Sequence, residues 1–108
     1  MTINEYQQLA ARTINPELTV ERQENHALHL IASECGEIHA HYQKVYQGHP
    51  LDEVKLRYEV GDLLWGIAEL CTAKGWNMDA VAERNIEKLR KRYPDGFDAE
   101  RSVHREEA

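Results

Sequence analysis

Two short acidic motifs contain the residues best suited to chemistry. Each reads acid-x-x-acid with glycine in third place, and the two are Glu34-Cys-Gly-Glu37 and Glu59-Val-Gly-Asp62. Residues three apart lie side by side on one face of an α-helix, so each motif presents a pair of carboxylates. Two such helices packed together would bring Glu34, Glu37, Glu59 and Asp62 to one place.

Both acidic pairs border an apolar helix face. On a helical wheel the first pair lies among Leu30, Ile38 and Val45, and the second borders Leu56, Leu63 and Leu70. A carboxylate beside an apolar seam must be partnered, protonated or metal-bound, because isolated buried charge is costly. Four oxygen donors with no lysine or arginine inside either motif favour a hard divalent cation, Mg²⁺ first and Mn²⁺ second. We therefore predict that all four acids bind metal.

A solvated charged surface is the alternative interpretation. A chain that is 30% charged produces acid-x-x-acid by chance, and such residues usually face solvent. The repetition of the pattern, with a glycine each time, favours the metal. Glycine inside a helix costs about 0.5–1 kcal/mol relative to alanine. We therefore expect Gly36 and Gly61 to allow another helix or a ligand to approach closely.

Length and composition limit the remaining classes. A chain of 108 residues fits one domain, spanning 1–108, and its helical periodicity with three prolines predicts an all-α fold. The net charge of −6 disfavours a nucleic acid polymer or an anionic membrane as partner. No apolar run would span a bilayer and no signal peptide is evident, so we expect a cytoplasmic protein. Cys35 and Cys71 are expected to be reduced core residues.

Four helices are predicted from periodicity, caps and breakers. They cover about 3–12, a start near 20–25 to about 46, about 51–74, and about 78–93. Thr2, Asp52 and Asn77 are the expected caps or start signals. The charged tail 98–108 is expected either to be frayed and flexible or to pack through Phe97 as a flap.

Several other side chains are candidates for substrate contacts. On the fourth helix, Asn85, Lys88 and Arg92 share one face and suit a triphosphate. Lys44 is a candidate phosphate contact, with a snorkelling surface lysine as the alternative. Trp65 lies off the apolar stripe and is either an oligomer contact or a platform for a nucleobase.

The histidines carry weaker signals. His41 lies near the first acidic pair in angle, which suits a supporting role beside the metal ligands. A zinc site at His26 and His29 lacks further nitrogen or sulfur ligands, so we interpret both as surface or interface residues.

The ordered set of motifs resembles the all-α nucleoside triphosphate pyrophosphohydrolases of the MazG type. The resemblance rests on Glu34-x-x-Glu37, on Glu59-Val-Gly-Asp-Leu-Leu-Trp65, and on a later Asn85-Ile-Glu-Lys88-Leu-Arg-Lys-Arg92-Tyr-Pro. It covers about residues 25–98 and is similar to the short single-domain members. In several relatives another acid directly precedes the first pair, whereas this chain has Ser33, and the resemblance is incomplete there.

The resemblance implies a four-to-five-helix bundle completed by homo-oligomerisation, as a homodimer or homotetramer. It also implies hydrolysis of a nucleoside or deoxynucleoside triphosphate to the monophosphate and pyrophosphate. Mg²⁺, or Mn²⁺, would be held by Glu34, Glu37, Glu59 and Asp62, with one acid serving as general base. Lys88 and Arg92 would stabilise the leaving pyrophosphate, Asn85 would orient sugar or phosphate, and Trp65 would stack on the base.

Two other functions fit the same residues. A phosphoribosyl-ATP pyrophosphohydrolase has similar acid spacing and chemistry. A non-enzymatic helical module for oligomerisation or partner binding would use the acids only as surface ion-pair partners. A stabilising effect of Mg²⁺ separates that module from either enzyme.

Overall fold

The computed structural model describes residues 1–104, and within that range the chain is all-α, as predicted. Five helices follow one another, and we label them in chain order: α1 Ile3–Ala11, α2 Val20–Tyr46, α3 Glu53–Lys74, α4 Met78–Arg92 and α5 Ala99–Val103. No helix in the described range is both long and apolar enough to cross a membrane.

Local side-chain caps set the start of each helix. The residues that accept a hydrogen bond from a first-turn backbone N–H are Thr2, Thr19, Asp52, Asn77 and Asp98. Such caps satisfy donors that the helix itself leaves unpaired. The helix α3 ends at Gly75, whose φ of 72° is the left-handed conformation that glycine adopts most easily. The predicted caps at Thr2, Asp52 and Asn77 are therefore confirmed.

The tail contains more structure than expected. The short helix α5 follows a turn in which the rings of Tyr93 and Phe97 meet edge to face, 5.6 Å apart. The guanidinium of Arg101 donates to the backbone carbonyl of Arg92 at 2.8 Å, near the end of α4. A cation is favourable at this end of a helix, where carbonyls are left unpaired. Of the two alternatives for the tail, residues 99–103 fit packing against the end of α4 better than fraying, while its last part, 105–108, lies outside the described residues.

The helices α2 and α3 form the main packed pair, an antiparallel hairpin. Residue numbers rise along α2 as they fall along α3, since His26 meets Glu69 and His41 meets Glu59. With 27 and 22 residues, the two helices are about 40 and 33 Å long. They therefore share a long seam, and both acidic motifs lie beside it.

The two helices of this seam approach closely at Gly66, a residue that we did not predict. A methyl group placed there would lie 3.0 Å from side-chain carbons of both Leu30 and Ile31. By contrast, no atom of another helix in the described chain lies within 4 Å of such a group at Gly36 or Gly61. Within one chain, the expected approach of another helix to these two glycines is therefore wrong, and Gly66 makes that contact instead. The approach of a ligand to them stays a prediction.

The helix α1 packs across the end of the hairpin that is remote from the α2–α3 loop. A small core there contains Ala10, Ala68, Cys71 and Met78, with Tyr6 and Trp65 packed against it. The buried Cys71 confirms half of the cysteine prediction, while Cys35 is exposed, so its placement in the core is wrong.

Gln7 joins α1 to the turn between α3 and α4. Its amide nitrogen donates to the carbonyl of Trp76, and its amide oxygen accepts from the backbone N–H of Met78, both at 2.8 Å. These two bonds pair a backbone donor at the start of α4 and a backbone acceptor just after α3. Gln7 thus has a structural role that we did not predict.

The single chain leaves much of its apolar surface uncovered. Its radius of gyration is 17.2 Å, whereas about 13 Å is typical for a compact domain of this length. Along α3, Val60, Leu64 and Ile67 are 52%, 38% and 38% exposed, and their spacing places them on one face. The fully buried apolar residues of the described chain are few and small or flexible: Ala10, Ala27, Ala68, Cys71 and Met78.

The close approach at Gly66 leads to a prediction about stability. Leucine is a good helix former, so Gly36→Leu, in open space, should not lower the free energy of unfolding. Gly66→Leu should lower it by about 1–3 kcal/mol, because the added carbons must displace Leu30 and Ile31. Urea denaturation followed by circular dichroism measures both values. Equal stabilities for the two variants would contradict the tight packing at Gly66.

Candidate metal and active site

Three carboxylates converge on one point of the seam. Glu34 comes from α2, while Glu59 and Asp62 come from α3, and one oxygen of each lies within 4.8 Å of the others. The spacing of three residues places Glu59 and Asp62 on the same side of α3. The antiparallel packing of the hairpin then brings Glu34 across to meet them.

Glu34 is the acid most affected by this crowding. Its Oε2 atom is buried and has no hydrogen-bond partner in the described part of the chain. Burial is the main cause that raises the pKa of Glu34 from 4.5 to about 7, aided by a hydrogen bond to Glu59 and by the nearby negative charges of Asp62, Glu59 and Glu37. Each of these causes disfavours the ionised form of Glu34.

This environment suits a bound cation. The causes that act on Glu34 are burial and other carboxyl groups, and no basic side chain is among them. A cation held at the cluster would neutralise the repelling charges and give Oε2 of Glu34 a partner. Oxygen ligands of this type suit Mg²⁺ or Mn²⁺. Glu34, Glu59 and Asp62 would hold such a cation through the three oxygens that already lie within 4.8 Å of one another.

Glu37 has a different position from the other three acids. It is exposed and stands outside the group of converging oxygens. Its charge still acts on Glu34, one turn away on the same helix. The predicted quartet is thus a trio with a neighbouring fourth carboxylate, and ligation by any of the four stays a prediction.

His41 lies at the edge of the cluster. Its Nε2 atom is 3.6 Å from Oε1 of Glu59, and both side chains are largely covered. A neighbour of this kind orients a ligating carboxylate. Lys44 follows His41 by one helical turn and lines an open cleft beside it.

A second, buried acid lies on the other side of the cluster. Glu69 is 1% exposed, and Nδ1 of His26 lies 2.8 and 2.9 Å from its two oxygens. His26 is therefore a structural partner of Glu69, and its interpretation as a surface or interface residue is incomplete. Glu69 was missed, although its spacing from Glu59, Asp62 and Gly66 marks it as a residue of the same seam.

Trp65 is more firmly held than the sequence suggests. Its indole N–H donates to the hydroxyl of Thr13 at 2.7 Å, and its ring meets His26 edge to face at 6.3 Å. Trp65 is half-buried and packs on the small core near α1. The expectation of a tryptophan displaced from the core is wrong, while base stacking at Trp65 stays a prediction.

The basic residues of the fourth helix belong to another part of the chain. The helix α4 packs mainly against α1, and α2 and α3 pack against each other. Asn85, Lys88 and Arg92 all lie on α4. Their action on a substrate at the acidic cluster stays a prediction.

The raised pKa of Glu34 predicts how stability depends on pH without metal. Between 4.5 and about 7 the folded chain holds a proton at Glu34 that the unfolded chain releases. The contribution of this proton to the free energy of unfolding is therefore fully present below pH 4.5 and is lost as pH rises to about 7. In EDTA, the melting temperature of Glu34→Gln should rise relative to that of wild type as pH increases from about 5 to about 8, because glutamine does not titrate.

Thermal unfolding followed by circular dichroism checks this prediction. The matched control is Glu83→Gln, which removes an exposed carboxylate from α4, away from the cluster. Its pH profile should follow that of wild type. Parallel profiles for wild type and Glu34→Gln would show that the Glu34 carboxyl does not hold its proton in the folded state.

Comparison with known proteins identifies the family to which this chain belongs. The family model described as the MazG nucleotide pyrophosphohydrolase domain matches residues 22–97. No match was found among the curated proteins or among the solved structures. The matched region contains the three converging carboxylates, Glu37, and most of the hairpin that positions them. With most of its length matched, the chain belongs to the MazG nucleotide pyrophosphohydrolase domain family.

Proposed function

We propose that this protein hydrolyses a nucleoside or deoxynucleoside triphosphate to the monophosphate and pyrophosphate, with Mg²⁺ as the preferred cation and Mn²⁺ as a substitute. Family membership supports nucleotide pyrophosphohydrolase activity in general. The observation that carries the finer proposal is the convergence of Glu34, Glu59 and Asp62 around a buried, unpartnered oxygen of Glu34. A triphosphate is a polyanion, so these acids are compatible with it only when a cation lies between them.

Each acid has a definite task in this proposal. Glu34, Glu59 and Asp62 hold the cation, which when bound neutralises phosphate charge and acidifies a water molecule. His41 keeps the Glu59 carboxylate oriented. Glu37, exposed and adjacent to Glu34, accepts the proton of the water that attacks the α-phosphorus. The sequence predicts Glu37 as a fourth metal ligand instead. The roles of ligand and general base differ in their effect on metal binding.

The leaving pyrophosphate carries negative charge that positive side chains stabilise. Lys88 and Arg92 are proposed for this task, with Asn85 orienting the sugar or a phosphate and Lys44 contacting phosphate. Since α4 packs mainly on α1, we propose that these α4 residues act on a cluster completed by a second copy of the chain.

Homo-oligomerisation is part of the proposal for a second reason. The exposed stripe of Val60, Leu64 and Ile67 is an apolar surface on the helix that supplies Glu59 and Asp62. Burying apolar surface contributes about 25 cal/mol per Å². A homodimer or homotetramer that covers this stripe would thus gain stability and place a neighbouring chain beside the active site.

Metal binding and turnover form one linked prediction. Mg²⁺ at 100 times its dissociation constant should stabilise wild type by about 2.7 kcal/mol, raising its melting temperature. Glu59→Gln should abolish this shift and lower turnover roughly 1,000-fold, since it removes a ligand whose effect amounts to several kcal/mol. The measurements are thermal unfolding with and without Mg²⁺, and pyrophosphate release over a panel of nucleotides that includes phosphoribosyl-ATP.

Two matched variants sharpen the test. Glu53→Gln, at the exposed start of α3, should retain both the Mg²⁺ shift and turnover. Glu37→Gln should retain the shift and lose turnover, as expected of a base that does not bind metal. Loss of the shift in Glu37→Gln would make it a ligand instead. Absence of any shift in wild type with excess Mg²⁺ or Mn²⁺ would favour the non-enzymatic module.

The oligomer prediction uses the exposed stripe of α3. Ile67→Lys should convert the assembly to a monomer, because burying a lysine charge in an apolar contact is costly. Val54→Lys, in the first turn of the same helix and outside this stripe, should leave the assembly intact. Light scattering coupled to size-exclusion chromatography measures both masses. A wild-type protein that is monomeric at micromolar concentration would contradict the proposal.

A further inference from the structure

An open cleft lies at the loop end of the α2–α3 hairpin. Its volume is about 500 Å³, and its lining includes four basic side chains: His41, Lys44, His49 and Lys55. Asp52 is the acid in this lining, and its carboxylate accepts the backbone N–H of Lys55 at 3.1 Å, as the cap of α3. Its charge is thus directed at the start of the helix.

The two lysines of the cleft are available to a ligand. Within residues 1–104, the carboxylates of Glu69, Glu59 and Glu24 contact His26, His41 and Lys74. Neither Lys44 nor Lys55 has such a contact in the described part of the chain. The cleft therefore has a positive lining, in a chain whose net charge is −6.

The cleft and the acidic cluster share a wall. His41 lines the cleft and lies 3.6 Å from Glu59, which belongs to the cluster. Lys44 is three residues beyond His41 on α2, and Lys55 is four residues before Glu59 on α3. These spacings correspond to about 4.5 and 6 Å along the helices. A molecule held at the cluster and extending toward the loop would reach both ammonium groups.

We propose that this cleft binds the pyrophosphate end of the substrate, with Lys44 and Lys55 contacting the β- and γ-phosphates. This inference rests on the proposed function, since it needs a triphosphate whose α-phosphorus lies at the acidic cluster. The residues suit phosphate, because ammonium groups bind phosphate oxygens and the lining includes two lysines.

Product inhibition separates this role from a general effect of charge. The variant that combines Lys44→Gln with Lys55→Gln should weaken inhibition by inorganic pyrophosphate roughly tenfold to a hundredfold, because it loses two charged contacts. It should also raise KM for the triphosphate. Inhibition by the nucleoside monophosphate and the Mg²⁺-induced rise in melting temperature should stay as in wild type. Replacing both lysines with arginine should restore most of the affinity for pyrophosphate.

A charge-matched control uses α4. Combining Arg90→Gln with Lys91→Gln removes the same charge at exposed residues and should leave inhibition by pyrophosphate unchanged. An equal loss in both double variants, or an equal loss of monophosphate affinity in the cleft variant, would overturn the inference. So would unchanged pyrophosphate inhibition in the cleft variant of an enzyme that turns over triphosphates. If wild type hydrolyses no triphosphate, the proposed function fails and the cleft assignment fails with it.

Discussion

Repulsion between carboxylates inside a helix–helix seam is the constraint on which this structure depends. Glu34, Glu59 and Asp62 bring oxygens within 4.8 Å of one another, and one oxygen of Glu34 is buried without a partner. Such an arrangement opposes folding unless a proton or a cation offsets the charge. The pKa of Glu34, raised to about 7, means that a proton takes this role at lower pH. A divalent cation would offset the same repulsion while the acids stay ionised.

The rest of the hairpin holds the seam closed against this repulsion. On the side remote from the loop, Gly66 lets α2 approach closely, since even a methyl group there would touch Leu30 and Ile31 at 3.0 Å. One turn further, His26 meets the buried Glu69. Residues 59, 62, 66 and 69 repeat at intervals of three and four, the spacing of a helix-packing seam. Acids and a glycine occupy this seam where apolar side chains would ordinarily interlock.

Local features such as helix caps could be predicted from the sequence, whereas the face that each helix turns toward its neighbour could not. The caps at Thr2, Asp52 and Asn77 and the pairing of acids at intervals of three depend on residues close in the chain. Which side of α3 faces α2 depends on packing between distant segments. Periodicity identified an apolar face that includes Val60, Leu64 and Ile67, which the single chain leaves substantially exposed. The usual rule that the apolar face turns toward the core of its own chain therefore gave no guide to the seam.

The wrong predictions for Cys35 and for the glycines of the acidic motifs have the same cause. Cys35 was assigned to the core because it shares a face with apolar neighbours on α2, yet it is exposed. Gly36 and Gly61 lie inside the acidic motifs, which drew the expectation of close packing to them. Gly66 lies one turn beyond Asp62 on the seam itself, and it makes the close contact. Distinguishing these glycines requires knowing which face of α3 meets α2, and composition does not contain that information.

The seam also gives the molecule a direction. From the loop, the order is a cleft lined by lysines and histidines, the acidic cluster, the tight contact at Gly66, and then the buried pair of His26 and Glu69. A ligand with one strongly anionic end fits the loop end of the hairpin, which is open, whereas the remote end is filled by α1 and its small core. The tightly packed end holds the two helices in register, and of the three converging acids Asp62 is the exposed one. Because α4 packs mainly on α1, the second copy of the chain that we propose would supply its α4 cations to the acidic cluster, and assembly would then be linked to chemistry at the same surface.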